Sequence, residues 1–95
     1  MMTSKQRAQL RSCANGLDTI YQIGKDGIDD ALVKGVGEAL KARELIKLRV
    51  LETCELSAKE AAEKLSQMLA AESVQVIGYK FVLYKRNRET DKYGV

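Results

Sequence analysis

The residues best suited to meet a ligand form one short stretch, Ile23-Gly24-Lys25-Asp26-Gly27-Ile28. A glycine on each side of the Lys-Asp pair lets the backbone take positive φ or approach a ligand closely. A phosphate suits such a place. Main-chain N–H groups donate to its oxygens, the first N–H groups of a following helix lack internal partners, and Lys25 adds a point charge. Asp-Gly is also ordinary turn chemistry, so the same six residues read as a plain β–α connection as well. Little else in the chain competes. Histidine, the commonest general base, is absent, and Cys13 and Cys54 are the only cysteines, in no CxxC pair. A zinc site would need two distant thiolates and carboxylates, so no metal, no cofactor and no catalytic group is expected. The two cysteines read as free thiols in a reducing cytoplasm, with a disulfide between them as the alternative.

The elements that must position this loop follow from pattern. Thr3 and Gln6 have capping-box spacing and open a first helix with a thin apolar stripe (Ala8, Leu10, Cys13, Ala14), stopped at Asn15-Gly16. Thr19–Ile23 alternates like a strand, and Asp29-Asp30 suits the first turn of a second helix reaching Arg43. Ile28, Leu32, Val36, Ala39 and Leu40 fall on one face of that helix. Gly35 and Gly37 interrupt it, and either they admit close packing or they weaken it. From Glu44 to Leu51, Ile46, Leu48 and Val50 alternate with Lys47 and Arg49, predicting a strand with one buried face and one basic face. Ser57 and Glu60 form a second capping box, ahead of an inner stripe of Ala61, Ala62, Leu65, Met68 and Leu69. Val74–Ile77 and Lys80–Arg86 read as an antiparallel hairpin turned at Gly78, with Phe81 and Leu83 facing the core. The expectation is one small α/β domain, α-β-α-β-α-β-β, with a four-stranded mixed sheet packed with helices. It spans residues 1–87, and 88–95 is expected to be a flexible charged tail.

The 95 residues suffice for one domain, and no apolar run approaches the roughly 18 residues of a membrane span. The formal net charge of +3 is concentrated at the two ends of the chain. Lys5, Arg7, Arg11 and Lys25 lie toward the start and Lys80, Lys85, Arg86, Arg88 and Lys92 toward the end, while acidic residues outnumber basic ones between them. If the ends meet in space, they form a basic surface suited to nucleic acid. Arg7 and Arg11, four apart, share a helix face and are expected to act there with little bearing on stability.

Together, the Gly24–Gly27 loop, Glu44–Val50, Val74–Gly78 and Phe81–Tyr84, in this order, resemble the YhbY proteins of bacteria. These are single-domain members of the CRM (chloroplast RNA splicing and ribosome maturation) RNA-binding family. The resemblance covers about residues 3–87. It implies a fold like the C-terminal domain of translation initiation factor 3, and a GxxG loop, here Gly24, Lys25, Asp26 and Gly27, analogous to that of KH domains. It also implies association with precursors of the large ribosomal subunit. This chain departs from the family pattern at Tyr79, where a basic residue is common, and at Lys85, where an arginine is common.

The functional expectation is therefore a cytoplasmic, monomeric, non-enzymatic protein that binds ribosomal RNA and assists large-subunit assembly. The expected contacts are Gly24, Lys25, Asp26 and Gly27, helped by Lys5, Arg7, Arg11, Lys80, Lys85 and Arg86. Tyr79 and Tyr84 carry rings able to stack on unpaired bases, and packing under a helix is the equal alternative for Tyr84. Two other classes compete: a regulatory domain binding a small metabolite, and an adapter docking protein through the Lys47/Arg49 face.

Overall fold

The computed structural model describes residues 2–87, 89 and 92–94. In chain order the elements are α1 (Ser4–Ala14), β1 (Thr19–Ile23), α2 (Asp30–Arg43), β2 (Leu45–Val50), α3 (Ala58–Leu69), β3 (Glu72–Ile77) and β4 (Lys80–Tyr84). This is the succession expected from the sequence.

Local chemistry starts each helix. Thr3 and Gln6 close a reciprocal capping box, with N···O distances of 2.9 and 3.1 Å, and Ser57 and Glu60 close another at 3.0 and 3.1 Å. The hydrogen bonds from the Ser57 backbone and side chain hold the Glu60 carboxyl below the usual carboxylate range. Asp29 caps α2 by accepting from Leu32 N–H at 2.8 Å. Two helices end without glycine: Glu44 after α2 has φ +65° and Ala70 after α3 has φ +53°. Ala70, in the left-handed helical region, is closed locally by its own and Ala71's N–H groups donating to Ser66 C=O, whereas Glu44 lies outside that region at ψ −43°.

The four strands lie in the order β1-β2-β4-β3. β1 runs parallel to β2 through the α2 crossover, whereas β4 is antiparallel to both β2 and β3. The hairpin at Gly78 (φ +58°) thus returns β4 into the gap between β2 and β3.

Alternation divides the side chains between two cores. On one face Ile46, Leu48 and Val50 of β2 and Phe81 and Leu83 of β4 pack with Val36 and Leu40 of α2 and the Ala61, Ala62 and Leu65 stripe of α3. On the other, Leu45, Val74, Val82 and Tyr84 pack beneath Leu10 and Ala14 of α1. The glycines of α2 serve close packing. A Cβ on Gly35 would lie 2.6 Å from the Tyr21 hydroxyl, and one on Gly37 would lie 3.3 Å from Leu69. Three residues depart from the expected stripes: Ala8 and Cys13 of α1 are exposed, and Met68 of α3 is 52% exposed.

Residues beyond β4 return to the body. Glu44, wholly buried, accepts through its carboxylate from Lys92 N–H at 2.8 Å and Asn87 N–H at 3.3 Å. Tyr93 stands edge-on to Tyr84, with ring centroids 6.2 Å apart. Its burial, together with the nearby Cys13 and Glu44, pushes the Tyr93 phenol above its ordinary pKa. Of the stretch expected to be a flexible tail, Arg88, Thr90, Asp91 and Val95 lie outside the described residues. Within that stretch Lys92 meets the Glu44 carboxylate and Tyr93 the Tyr84 ring.

Phe81 and Met68 both fall on inward stripes of the sequence, yet only Phe81 is enclosed, at 1% exposure. Phe81→Ala should cost about 3–5 kcal/mol in denaturant unfolding, and Met68→Ala less than about 1 kcal/mol. Equal losses would contradict this division of the core.

Candidate nucleic-acid interface

β1 and β2, being parallel, end at the same edge of the sheet, and antiparallel β4 begins there. Two backbone hydrogen bonds tie this edge together: Leu51 N–H donates to Ile23 C=O and Val50 N–H to Tyr79 C=O, both at 2.8 Å. The Gly24–Gly27 turn and the Gly78-Tyr79 hairpin tip are therefore neighbours of one rigid strand end.

The turn closes through Gly27 N–H to Gly24 C=O at 3.0 Å. Gly27 has φ +65°, which explains its glycine conformationally, and a Cβ there would point into open space. Gly24 makes no such demand. Its φ is not positive, and a Cβ would meet Leu51 and Thr53 at ordinary contact distances of 3.5 and 3.6 Å. Lys25 and Asp26 are exposed at the tip, and among the described residues nothing accepts from their N–H groups. An open depression of about 370 Å³ adjoins the turn, lined in part by Tyr21, Gln22 and Leu32.

The start of α2 differs from the expected phosphate seat. Ile28 and Asp29 separate the turn from the helix, Asp29 already occupies the Leu32 N–H, and Asp30 adds a second carboxylate. An anion is disfavoured at that helix end, so the donors that remain belong to the turn itself.

The other candidate residues fall in two places. Lys80 lies at the turn's edge of the sheet, opposite Arg49 on β2. Lys85 and Arg86 lie at the far end of β4, where with Met2, Gln6 and Glu72 they line an open cavity of about 290 Å³. The two ends of the chain do meet, since Met2 and Tyr93 pack around the α1 core. Lys5 and Arg11 are exposed on α1. Arg7 is different: its guanidinium donates to the Ser73 and Val74 carbonyls, at the irregularity in β3 between Ser73 and Gln75. It ties α1 to the sheet edge and is not the freely available partner of Arg11 expected from their spacing. Tyr84 is 4% exposed beneath α1 and Tyr93, which removes it as a stacking platform, while Tyr79 is 56% exposed. Sequence reasoning missed Gln22, which pairs across β1–β2 with Arg49 and shares its face. Strand alternation carried that signal.

Cys13 and Cys54 are free thiols. Among the described residues no group of three or more His, Cys, Asp or Glu side chains is placed to hold a metal, and no helix is long and apolar enough to cross a membrane.

A four-stranded mixed sheet with helices on both faces and an exposed glycine turn at one strand end defines a small single-domain α/β protein. The chain belongs to the CRS1/YhbY (CRM) domain family, whose model matches residues 2–85. It is 46% identical over 89 residues to the "Probable RNA-binding protein YqeI" of Bacillus subtilis, covering 94% of this chain and 93% of that protein. It is 34% identical over 94 residues to the "Probable RNA-binding protein MJ0652" of Methanocaldococcus jannaschii, covering 97% and 69% of the two chains. The solution structure of SAV1595 from Staphylococcus aureus superposes with a TM-score of 0.82 at 43% identity, covering 98% of this chain and 97% of that one.

Arg7 and Arg11 should separate in a stability measurement. Arg7→Ala strands two strand-edge carbonyls and should cost about 1–3 kcal/mol, whereas Arg11→Ala should stay within about 0.5 kcal/mol of the parent. Indistinguishable unfolding curves would show that Arg7 does not hold α1 to β3.

Proposed function

We propose that the protein binds RNA without performing chemistry on it, gripping the sugar–phosphate backbone at Gly24–Gly27. Its proposed targets are ribosomal RNA and precursor particles of the large subunit, which it accompanies as a cytoplasmic monomer during assembly. The observation that carries the reading is the turn itself. Its tip N–H groups have no acceptor among the described residues, and no side chain is mounted on either flank. A backbone phosphate satisfies those donors, and its approach is unobstructed. Lys25 supplies a neighbouring positive charge, and Lys80 lies at the same end of the sheet. Relatives called probable RNA-binding proteins, matching nearly all of this chain, support the same class of ligand.

Asp26 sits at the tip of the turn, and its carboxylate works against phosphate. The contact is therefore assigned to the main chain of the turn and to the Lys25 ammonium, with Asp26 serving as a turn-former.

Gly27→Asn isolates the mechanism, because asparagine tolerates the left-handed backbone and its side chain would project into the open space where the RNA approaches. The variant should unfold near the parent's temperature and bind RNA at least tenfold more weakly. Lys25→Ala should lose less. A folded Gly27→Asn that binds with parental affinity would refute the turn as the grip. Sedimentation of cell extracts with and without RNase tests the target: the protein should travel with large-subunit precursors and be released by RNase. Its absence from all ribosomal fractions would refute the ribosomal assignment.

A further inference from the structure

α1 covers only part of its face of the sheet. Leu10 and Ala14 pack over Leu45, Val74, Val82 and Tyr84, and α1 ends before the edge that carries the turn. Arg49 of β2 and Lys80 of β4 alternate with residues of the opposite core and are exposed, so they stand on the uncovered part, while Lys47 on the same face is half-buried beside the segment that follows α1. Arg49 and Lys80 are direct partners across the antiparallel β2–β4 ladder. Like charges so placed repel, and an unrelieved pair of this kind is destabilising. Among the described residues no carboxylate pairs with Lys47, Arg49 or Lys80. A bound anion is suited to bridge two cations placed in this way.

We propose that this uncovered half-face, centred on Arg49 and Lys80, is a second RNA-contact surface that carries a single-stranded segment onward from the Gly24–Gly27 turn. The inference rests on the RNA-binding reading above and extends it to residues outside the turn. Continuity comes from Gln22, which faces the same way as Arg49 across the parallel ladder and also lines the depression beside the turn. A chain leaving the turn crosses β1 at Gln22 and β2 at Arg49, and reaches β4 at Lys80 within about 10 Å, two strand spacings. The far side offers surface for unstacked bases: Tyr79 at the hairpin tip is 56% exposed, and Ile77, which lines a small cleft with Lys80 and Asn15, is 63% exposed. Cations for phosphates beside an exposed ring for a base form the usual platform for a single strand, whose bases are free to lie flat. A protein partner would need to supply carboxylates in place of phosphates. The neighbouring N–H donors of the turn favour RNA.

The test compares a fluorescent twelve-nucleotide uridine RNA with a duplex RNA of equal length, over a series of salt concentrations. The double variant Arg49→Gln/Lys80→Gln should melt no lower than the parent, since repulsion is relieved. It should bind the single strand roughly tenfold more weakly near 0.15 M salt, with a log–log salt slope smaller by about 1.4, as for two lost phosphate contacts. Tyr79→Ala should weaken binding about tenfold with the slope unchanged. Parental affinity and slope in the double variant, alongside weakening by Gly27→Asn, would overturn this surface and leave the turn standing. A loss confined to the duplex would overturn the single-strand assignment. A parent protein that binds neither RNA would overturn the RNA-binding reading itself, and this inference with it.

Discussion

A single helix about 10 Å across cannot cover one face of a four-stranded sheet, whose strands are spaced ~4.8 Å apart. Two helices, α2 and α3, divide one face and enclose Phe81, Leu83 and the inward residues of β2. On the other face α1 works alone, aided by Tyr93 from the end of the chain. Where α1 sits is therefore the constraint on which the rest of the surface depends. Leu10 and Ala14 place it over the Leu45–Tyr84 end of the sheet, and Arg7 fastens it to the carbonyls of Ser73 and Val74. The remainder of that face carries the exposed cations Arg49 and Lys80, with Ile77 exposed beside them.

The parallel β1–β2 pair gives this placement its functional meaning. Parallel strands finish at the same edge, so the turn after β1 lies beside the end of β2 and the start of β4. The covered end of the sheet is opposite that edge. The glycine turn thus projects from the uncovered end, next to Arg49 and Lys80, while Lys85 and Arg86 are carried to the far end of β4. Charge alone would treat these cations as one set; topology divides them. Only those beside the turn can share a backbone with it over a few ångströms.

Much of the fold was legible because its signals are local. The Thr3/Gln6 and Ser57/Glu60 boxes act within one helical turn, and alternation in β2 separates Leu48 from Arg49 without reference to any other element. The family resemblance was legible on the same segments, and the match over residues 2–85 agrees with it. What escaped depends on partners distant in the chain. The positive-φ backbone of Glu44 is an improbable choice for a glutamate, and its carboxylate makes sense only when the N–H groups of Asn87 and Lys92 arrive. Tyr84 has the same alternation whether it faces solvent or α1, and Arg7 has the same spacing to Arg11 whether or not Ser73 lies within reach. The turn's four residues were visible from the start. That its donors are separate from the capped start of α2 was not, because that distinction rests on how Asp29 turns its side chain toward Leu32.

The central claim is that RNA is held by the main chain of the glycine turn, and amide resonances report on it directly. In a titration of ¹⁵N-labelled protein with single-stranded RNA, the amides of Lys25, Asp26 and Gly27 should move most, and added salt should reverse the change. The Lys85–Asn87 segment and α1 should change little. Large shifts at Lys85 and Arg86 with an unmoved turn would contradict the account and place the RNA at the opposite end of the sheet.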